Sequence, residues 1–465
     1  MHFVGVGGIG MSGIAELLAN LEYRVSGSDQ RPSDTTERLR ALGVDIHIGH
    51  AAAHVGDADV VVTSSAVKAD NPEVVEAVAR HIPVIPRAEM LAELMRLRFG
   101  IAVAGAHGKT STTSMIALVL ERAGLDPTAV IGGRLSAFGS NARLGQGALM
   151  VAEADESDRS FLKLSPSVAV ITNLDREHME AYGSFEDLEQ AFVDFANKVP
   201  FYGAVVACAD DASLAKVLPR VTRRVITYGI DAPGAEIGAA GLTLRGYGST
   251  CEVVRREVHG DGHATVLGTM RLQVPGRHSV QNALASVAVG LELGVEFATI
   301  ARALAGFQGA ERRFQVRGIV GGVTVVDDYG HHPTEIAAVI QAARAAEPSR
   351  VVVVFQPHRY TRTALLMEDF GRVLAGADEV VLTEIYPAGE PPIAGVTAQA
   401  LAAAIDRARA TPVYLVSELD HIPSVVADLA RPGDLVITLG AGSIGAVPGA
   451  LVAELERRRA LVEGR

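Results

Sequence analysis

The sequence predicts an α/β protein of three domains. Apolar runs typical of strands alternate with amphipathic helical segments along most of the chain. Glycine-rich turns connect such strands to helices at residues 5–13 and 105–108. The 465 residues exceed what one hydrophobic core supports and suit about three domains of ordinary size. We expect a Rossmann-like N-terminal domain at 1–98, a central P-loop domain with a small antiparallel insert at 99–310, and a Rossmann-like C-terminal domain at 311–465.

Composition narrows the class of protein. Hydrophobic residues make up 48% of the chain and charged residues 21%, which is typical of a soluble globular protein. The formal net charge of −12 argues against general binding to nucleic acid or to anionic membranes. The two cysteines, Cys208 and Cys251, lack metal-type spacing, and no run is long enough to span a membrane. We therefore expect a cytoplasmic protein. As a separate expectation, we take it to be a monomer or a weak dimer.

The N-terminal turn has the G-x-G-x-x-G pattern, from Gly5 to Gly10, between a short strand and a helix that runs to about Asn20. A second strand at 23–26 leads to Asp29, which stands where a dinucleotide-binding turn has its ribose-binding acid. A tight turn without a ligand is the alternative interpretation. The pattern alone is weak, because residues 440–445 also match it.

The central turn, Gly105-Ala-His-Gly108-Lys109-Thr110, follows an apolar strand and opens a long helix. Glycines let backbone amides converge on phosphate oxygens, and the helix N-terminus adds partial positive charge. Lys109 can reach the outer phosphates of a nucleotide, and the Thr110 hydroxyl can hold a Mg²⁺ ion. The strict P-loop pattern is not met, because Val103 stands in place of its first glycine. A glycine-rich turn with a solvated lysine is the alternative.

Polar side chains follow the next strands of the central domain. Glu153 and three further acids come after an apolar strand, and Asn173, Asp175 and His178 come after another. Ligands bind at the carboxyl ends of strands in open α/β sheets, so these side chains are expected beside the P-loop. Glu153 is the best candidate for a Mg²⁺ ligand. For His178 an ordinary exposed or core histidine is an equal alternative on chemistry alone.

The C-terminal third repeats this arrangement. Strands predicted near 324–327, 351–355, 380–383 and 435–439 each end in a polar cluster, which indicates a second doubly wound sheet. Arg312 and Arg313 at the boundary of this domain suggest anion capture, with a surface ion pair as the alternative.

Several motifs together carry a family resemblance. The segments are Gly105-Ala-His-Gly-Lys-Thr, Glu153-Ala-Asp-Glu-Ser-Asp, Thr172-Asn-Leu-Asp-Arg-Glu-His-Met, Asp328-Tyr-Gly-His-His-Pro-Thr-Glu, Gln356-Pro-His-Arg-Tyr-Thr-Arg and Tyr386-Pro-Ala-Gly-Glu. In this order the chain resembles the Mur ligases of peptidoglycan synthesis, and among them the alanine-adding members. The resemblance implies ATP-dependent ligation of L-alanine to the lactyl carboxylate of UDP-N-acetylmuramate through an acyl phosphate, giving ADP and phosphate.

The resemblance also implies site residues. The catalytic candidates are Lys109, His178, His331 and Arg359. The ATP side comprises Gly105, Ala106, His107, Gly108, Lys109, Thr110, Ser111 and Asn282. The UDP-sugar side comprises Gly7, Gly8, Gly10, Met11, Ser12, Asp29, Ser64 and Ser65. The amino-acid and phosphate side comprises Arg312, Arg313, His332 and Arg362, and Mg²⁺ would be held by Thr110, Glu153 and His178.

Two departures and three alternatives accompany this interpretation. Residues 190–194 contain no lysine where several relatives have a carbamylated one, and Ser279 follows His278 where asparagine is common. A peptidoglycan-recycling ligase that adds a tripeptide to the same UDP-sugar is the nearest alternative. An NAD-dependent dehydrogenase would explain only residues 5–10 and Asp29. A non-catalytic nucleotide-binding regulator would need no turnover at all.

Overall fold

The chain forms three β-sheets flanked by helices, which confirms the predicted α/β class with three domains. The structure is a computed structural model and describes residues 1–64, 66–135, 140–257 and 263–463. Within those residues, no helix is both long and apolar enough to cross a membrane. Both cysteines are buried thiols.

The N-terminal sheet is five-stranded and fully parallel, in the order β3-β2-β1-β4-β5. Its strands are β1 His2–Val4, β2 Ser26–Asp29, β3 Asp45–Ile48, β4 Val61–Thr63 and β5 Val84–Pro86, and its helices are α1 Ile9–Asn20, α2 Asp34–Ala41, α3 Pro72–Ala79 and α4 Arg87–Arg96. The second strand was expected at 23–26 but starts at Ser26. Tyr23 and Arg24 are exposed, whereas the weak strand-former sequence Ser-Gly-Ser-Asp is paired on both sides.

The central sheet has ten strands, in the order β15-β14-β13-β12-β11-β10-β6-β9-β7-β8. The strands are β6 Phe99–Ala104, β7 Thr128–Leu135, β8 Ser140–Arg143, β9 Leu149–Glu153, β10 Val168–Ile171, β11 Ala204–Cys208, β12 Val225–Gly229, β13 Ile237–Arg245, β14 Gly248–Arg256 and β15 Ala264–Leu272. The helices are α5 Lys109–Arg122, α6 Phe185–Asn197, α7 Ala212–Val217, α8 Arg277–Glu292 and α9 Phe297–Ala305.

The segment expected as a small antiparallel insert is part of this sheet. Strand β12 pairs parallel with β11, and β13 pairs parallel with β12. Only two residues separate β13 from β14, and a connection that short joins antiparallel neighbours. Strands β13, β14 and β15 therefore extend one edge of the central sheet.

The C-terminal sheet has six strands, in the order β16-β17-β21-β18-β19-β20, with β16 antiparallel to β17 and the other pairs parallel. The strands are β16 Gln315–Val320, β17 Val323–Asp328, β18 Arg350–Phe355, β19 Glu379–Leu382, β20 Val413–Leu415 and β21 Asp434–Leu439. The helices are α10 Pro333–Ala345, α11 Tyr360–Leu365, α12 Met367–Leu374, α13 Ala398–Ala408, α14 Ile422–Leu429 and α15 Val447–Glu463. Val351 and Val353 belong to one buried cluster and Val352 and Val354 to another, so both faces of the sheet are covered.

The chain divides into two compact units that do not follow the sequence in simple order. The first unit comprises Met1–Leu242, Cys251–Arg271 and Gln281–Gln308, and the second comprises Thr243–Thr250, Leu272–Val280 and Gly309–Arg465. In the second unit the Tyr247 ring lies 6.2 Å from the Phe314 ring. The boundaries at 98 and 310 remain sequence predictions.

Candidate active site

The P-loop connects β6 to α5 in the first unit. Gly105, Ala106, His107 and Gly108 form the turn, and Lys109, Thr110 and Ser111 form the first turn of α5. Gly108 has a φ of 81°, and a Cβ there would lie 2.7 Å from the Asn282 side-chain oxygen. Asn282, predicted on the adenine side, therefore lies against the turn, and only glycine fits at residue 108.

The segment that follows β10 fastens the P-loop from the other side. The His107 amide donates to the Asn173 side-chain oxygen at 2.8 Å, and the Ala106 amide donates to the Asn173 carbonyl at 3.2 Å. The His107 ring lies 2.8 Å from the Asp175 carboxylate. These hydrogen bonds fix the loop to the segment after β10. The amides of the first turn of α5 have no acceptor within the helix, so they are available to an anion.

Lys109 is nearly enclosed. Its Nζ donates to the Gly105 carbonyl at 2.6 Å, to the Ala106 carbonyl at 3.1 Å and to Glu156 Oε1 at 2.7 Å. Burial by itself lowers the pKa of Lys109, but the charges of Glu156 and Glu153 outweigh it, so the pKa lies above its ordinary value. Burial raises the pKa of Glu156 to about 7 against the charge of Lys109. The lysine is thus a permanent cation at the position where phosphate oxygens would arrive.

Thr110 and Glu153 lie together, as the predicted Mg²⁺ site requires. The Thr110 hydroxyl donates to the two Glu153 carboxylate oxygens at 3.0 and 3.2 Å. Glu153 is the last residue of β9, next to β6 in the sheet, and that neighbourhood brings it to the loop. A hydroxyl and a carboxylate are hard oxygen ligands that suit Mg²⁺.

His178 joins a different group of acids from the one predicted. Ligand atoms of Glu156, Glu177 and His178 all lie within 4.8 Å of one another, a spacing that could hold a metal ion. Glu156 Oε2 is buried and has no hydrogen-bond partner among the described residues, so it is available as a metal ligand. No such group among the described residues includes Glu153. The shared ligation by Glu153 and His178 remains a prediction.

The N-terminal glycine turn is built like an anion site. The Gly7 amide donates to Asp29 Oδ2 at 2.8 Å, so Asp29 reaches the turn itself. Gly8 precedes α1, whose first turn contains Gly10, Met11 and Ser12. Met11 and Ser12 are buried, Ser64 directly follows β4, and Ser65 lies outside the described residues.

A cavity of about 240 Å³ joins the two turns within the first unit. Gly10 and Arg87 line it from the N-terminal sheet, and Lys109, Glu153 and Asp155 line it from the central sheet. Neither Arg87 nor Asp155 is among the site residues expected from the sequence. The signal for Arg87 was available, because it directly follows β5 at the carboxyl end of a parallel sheet.

In the second unit, Arg312 serves the fold. Its guanidinium pairs with Asp327 at 3.2 Å and donates to the Gly440 carbonyl at 2.7 Å. A Cβ at Gly445 would lie 2.8 Å from the Arg312 guanidinium carbon, so this side chain fills the second G-x-G-x-x-G turn. Arg313 pairs with Glu335 at 3.3 Å. Both arginines therefore have carboxylate partners, and their role in anion capture remains a prediction.

The other predicted residues of the second unit cluster at the carboxyl ends of its strands. His331 Nδ1 lies 3.1 Å from the Tyr329 carbonyl, and the His331 ring lies 5.7 Å from the His358 ring. His332 is buried and caps α10. Arg359 precedes α11, its guanidinium 4.0 Å from Glu390.

Arg362 and the neutral histidines define the chemistry of this cluster. The Arg362 NH1 group is buried, and no described residue accepts a hydrogen bond from it. Burial lowers the pKa of His331 to about 3, with Glu335 opposing and Arg362 adding to the shift. Burial and the charge of Arg362 lower the pKa of His358 to about 4. Both rings are therefore neutral at pH 7, and Arg362 supplies the positive charge.

Comparison with known families covers nearly the whole chain. Residues 1–99 match the model described as "Mur ligase family, catalytic domain", residues 103–290 match "Mur ligase middle domain", and residues 312–442 match "Mur ligase, glutamate ligase domain".

Individual relatives agree with these matches. The UDP-N-acetylmuramate–L-alanine ligase of Geobacter sp. (strain M21) is 54% identical over 445 residues, covering 96% of this chain and 95% of its own. Among solved structures, the UDP-N-acetylmuramate–alanine ligase of Thermotoga maritima has a TM-score of 0.82 at 30% identity, covering 98% of this chain and 99% of its own. The murein peptide ligase of Psychrobacter arcticus has a TM-score of 0.69 at 25% identity, covering 98% of each chain.

Proposed function

This chain belongs to the Mur ligase family, and from that membership we propose that it joins L-alanine to UDP-N-acetylmuramate with ATP. The observation that carries the proposal is the 54% identity to alanine-adding ligases over almost the full chain. The resemblance drawn from the motifs is thereby confirmed. In the reaction, a lactyl carboxylate oxygen bonds to the γ-phosphorus and ADP leaves. The alanine amine then attacks the acyl carbon, and phosphate leaves as the amide forms.

In this proposal the first unit binds the phosphates of the nucleotide. Lys109 neutralises the β- and γ-phosphates, and amides of the P-loop and α5 receive the phosphate oxygens. Thr110 and Glu153 would hold one Mg²⁺, and Glu156, Glu177 and His178 would hold a second cation. A bound Mg²⁺ would draw negative charge from the phosphate oxygens. Even without a metal ion, the positive charge of Lys109 would offset part of the repulsion between the lactyl carboxylate and the triphosphate.

In the second unit, the cluster around Arg362 would bind the amino acid. We assign the alanine carboxylate to Arg362, because its NH1 group is buried and lacks a partner among the described residues. Arg359 and His331 lie in the same cluster and would contact the amino acid or the leaving phosphate. Because burial lowers the pKa of His331 to about 3, the ring is neutral and would position the amino acid or the phosphate by hydrogen bonding; it is too weak a base to take the proton of the amine.

The tripeptide-adding recycling ligase is the nearest competitor. The murein peptide ligase of Psychrobacter arcticus shares this fold, but at lower identity and lower TM-score than the alanine ligase of Thermotoga maritima. No observation favours a dehydrogenase, which leaves the P-loop and Glu153 without a role.

Phosphate release tests the proposal directly. Purified protein should release phosphate only when ATP, Mg²⁺, UDP-N-acetylmuramate and L-alanine are all present. Competition between L-alanine and the tripeptide L-Ala-γ-D-Glu-meso-diaminopimelate at equal concentration should yield the alanine product. Phosphate release without the UDP-sugar, or a predominant tripeptide product, would contradict the proposal.

A further inference from the structure

Arg87 occupies a position that the assigned roles leave unexplained. It is the first residue of α4, and its guanidinium donates to the Asp155 carboxylate. This contact joins the N-terminal sheet to the acidic loop after β9. The side chain of Arg87 is 29% exposed and that of Asp155 is 37% exposed, so solvent or a ligand can reach the pair.

The last glycine of the N-terminal turn makes room for this guanidinium. A Cβ at Gly10 would lie 1.8 Å from Arg87 NH1, closer than any real contact. Gly10 lies inside α1 and its φ is not positive, so the backbone does not require glycine there. The close approach of Arg87 gives a physical reason for glycine at this position of the motif.

The pair borders the cavity that also reaches the P-loop. Lys109 and Glu153 line one part of the same 240 Å³ space, and Arg87 and Gly10 line another. The walls between them are apolar and come from both sheets, with Ile14, Leu91, Phe161 and Leu164 all buried. A group bound to Arg87 in this space would share the cavity with the phosphate-binding lysine.

A carboxylate that is to attack a phosphate needs a cation of its own. Lys109 already has Glu156 as a partner and is assigned to the nucleotide. Glu153 and Asp155 add negative charge to the lining, which repels a further carboxylate. Arg87 is the remaining cation of this lining, and a guanidinium binds a carboxylate with two parallel hydrogen bonds. Its current partner, Asp155, is itself a carboxylate.

We propose that Arg87 binds the lactyl carboxylate of the UDP-sugar in exchange for Asp155 and holds it in this cavity for phosphorylation. The inference rests on the proposed function. It makes Arg87 a residue that distinguishes UDP-N-acetylmuramate from UDP-sugars without the lactyl group. The main competing role is contact with the diphosphate, since Gly10 also belongs to the turn assigned to that group.

Binding of two UDP-sugars separates these roles. UDP-N-acetylglucosamine has the same nucleotide, diphosphate and acetamido sugar but lacks the lactyl carboxylate. Isothermal titration without ATP or alanine should show that Arg87→Met weakens UDP-N-acetylmuramate binding by about 10- to 100-fold, as expected for a lost charge-assisted hydrogen bond. The affinity for UDP-N-acetylglucosamine should change by less than about twofold. Arg96→Met is the matched control, because Arg96 is an exposed arginine on the same helix.

Asp155→Asn provides a second test with the opposite sign. Because Arg87 would be released from its partner, UDP-N-acetylmuramate should bind more tightly, by about threefold or more, while UDP-N-acetylglucosamine should bind as before. If Arg87→Met fails to fold, Asp155→Asn still tests the proposal. Equal losses for both sugars in Arg87→Met would assign Arg87 to the diphosphate, and unchanged binding would reduce it to a structural ion pair. Failure of the unmodified protein to bind UDP-N-acetylmuramate would instead contradict the proposed function.

Discussion

The Lys109 ammonium lies 2.7 Å from the Glu156 carboxylate, in a pair whose side chains are 15% and 3% exposed. The lysine that would bind phosphate therefore has a buried counterion before any nucleotide arrives. Since removing one partner of a buried pair strands the other charge, the two residues have to be tested separately.

Lys109→Ala should reduce turnover by at least about 10³-fold, because the charge on the transferring phosphate loses its cation. The fold should survive, since a stranded Glu156 with a pKa already near 7 can take up a proton. Calorimetric titration should find UDP-N-acetylmuramate binding nearly unchanged. Lys163→Ala is the control, because Lys163 is an exposed lysine paired with Glu89. Loss of UDP-sugar binding together with turnover would contradict the separate roles of the two turns.

Glu156→Gln should weaken Mn²⁺ binding in the absence of nucleotide by about tenfold or more, because it removes a carboxylate from the group with Glu177 and His178. Electron paramagnetic resonance of free Mn²⁺ measures this directly. Asp158→Asn removes an equal charge from an exposed position in the same loop and should leave Mn²⁺ binding unchanged. Equal effects of both variants would mean that general negative charge, and no defined site, attracts the ion.

Arg362→Met should raise the KM for L-alanine by about tenfold or more and leave the free energy of unfolding unchanged or slightly higher. The reason is that the buried NH1 group has no partner among the described residues, so its removal breaks no hydrogen bond. Arg350→Met is the contrast, since Arg350 pairs with Asp434 at 2.6 Å and Glu379 at 2.5 Å. That variant should lose about 3 kcal/mol. A destabilised Arg362→Met with an ordinary KM would refute the alanine assignment.

Glu73 should make the stability of the N-terminal domain depend on pH. It is fully buried, accepts from Ser28 at 2.6 Å, and lies 3.1 Å from both His50 and His54. Burial raises the pKa of Glu73, but the nearby His2 ring, 3.7 Å away, and hydrogen bonds with Ser28 and His50 outweigh that effect and lower the pKa to about 2. Because the folded-state pKa is depressed, the stabilisation is complete above about pH 4.5 and is lost as the pH falls toward 2.

Glu73→Gln should cost about 2–3 kcal/mol at pH 7 and flatten the pH dependence between 4.5 and 2. Chemical denaturation monitored at several pH values gives both quantities. Glu76→Gln, on the same helix but partly exposed beside Arg80, should change neither. The same slope in both variants would show that Glu73 is not the titrating group.

The sequence predicted the site residues whose positions follow from a local strand-turn-helix pattern. A strand, a glycine turn and Lys-Thr suffice to place Lys109 and Thr110, and the end of β9 suffices to place Glu153. Partners could not be predicted in the same way. His178 has a left-handed backbone, with a φ of 53°, and this conformation affects where its ring points. No sequence pattern predicts that conformation, so the sequence could not show whether the ring lies near Glu153 or near Glu156. The place of Arg87 directly after β5 was a usable signal, but its pairing with Asp155 in another element could not be predicted, and neither could the parallel pairing of β12 and β13 that joins the insert to the central sheet.

The second unit includes two short segments from the middle of the chain, Thr243–Thr250 and Leu272–Val280. The C-terminal residues therefore cannot be separated from the rest of the chain without loss. A fragment of residues 311–465 would lack Tyr247, whose ring packs against Phe314. It would also lack His278, whose pKa is lowered by burial and by the charge of Arg313. Such a fragment would expose part of its own hydrophobic core and would aggregate or stay partly unfolded. During synthesis, residues 243–250 and 272–280 leave the ribosome before the rest of the C-terminal unit, to which they belong, has been made. The C-terminal unit therefore finishes folding only after translation ends, when its two mid-chain segments can pack against the completed C-terminal residues.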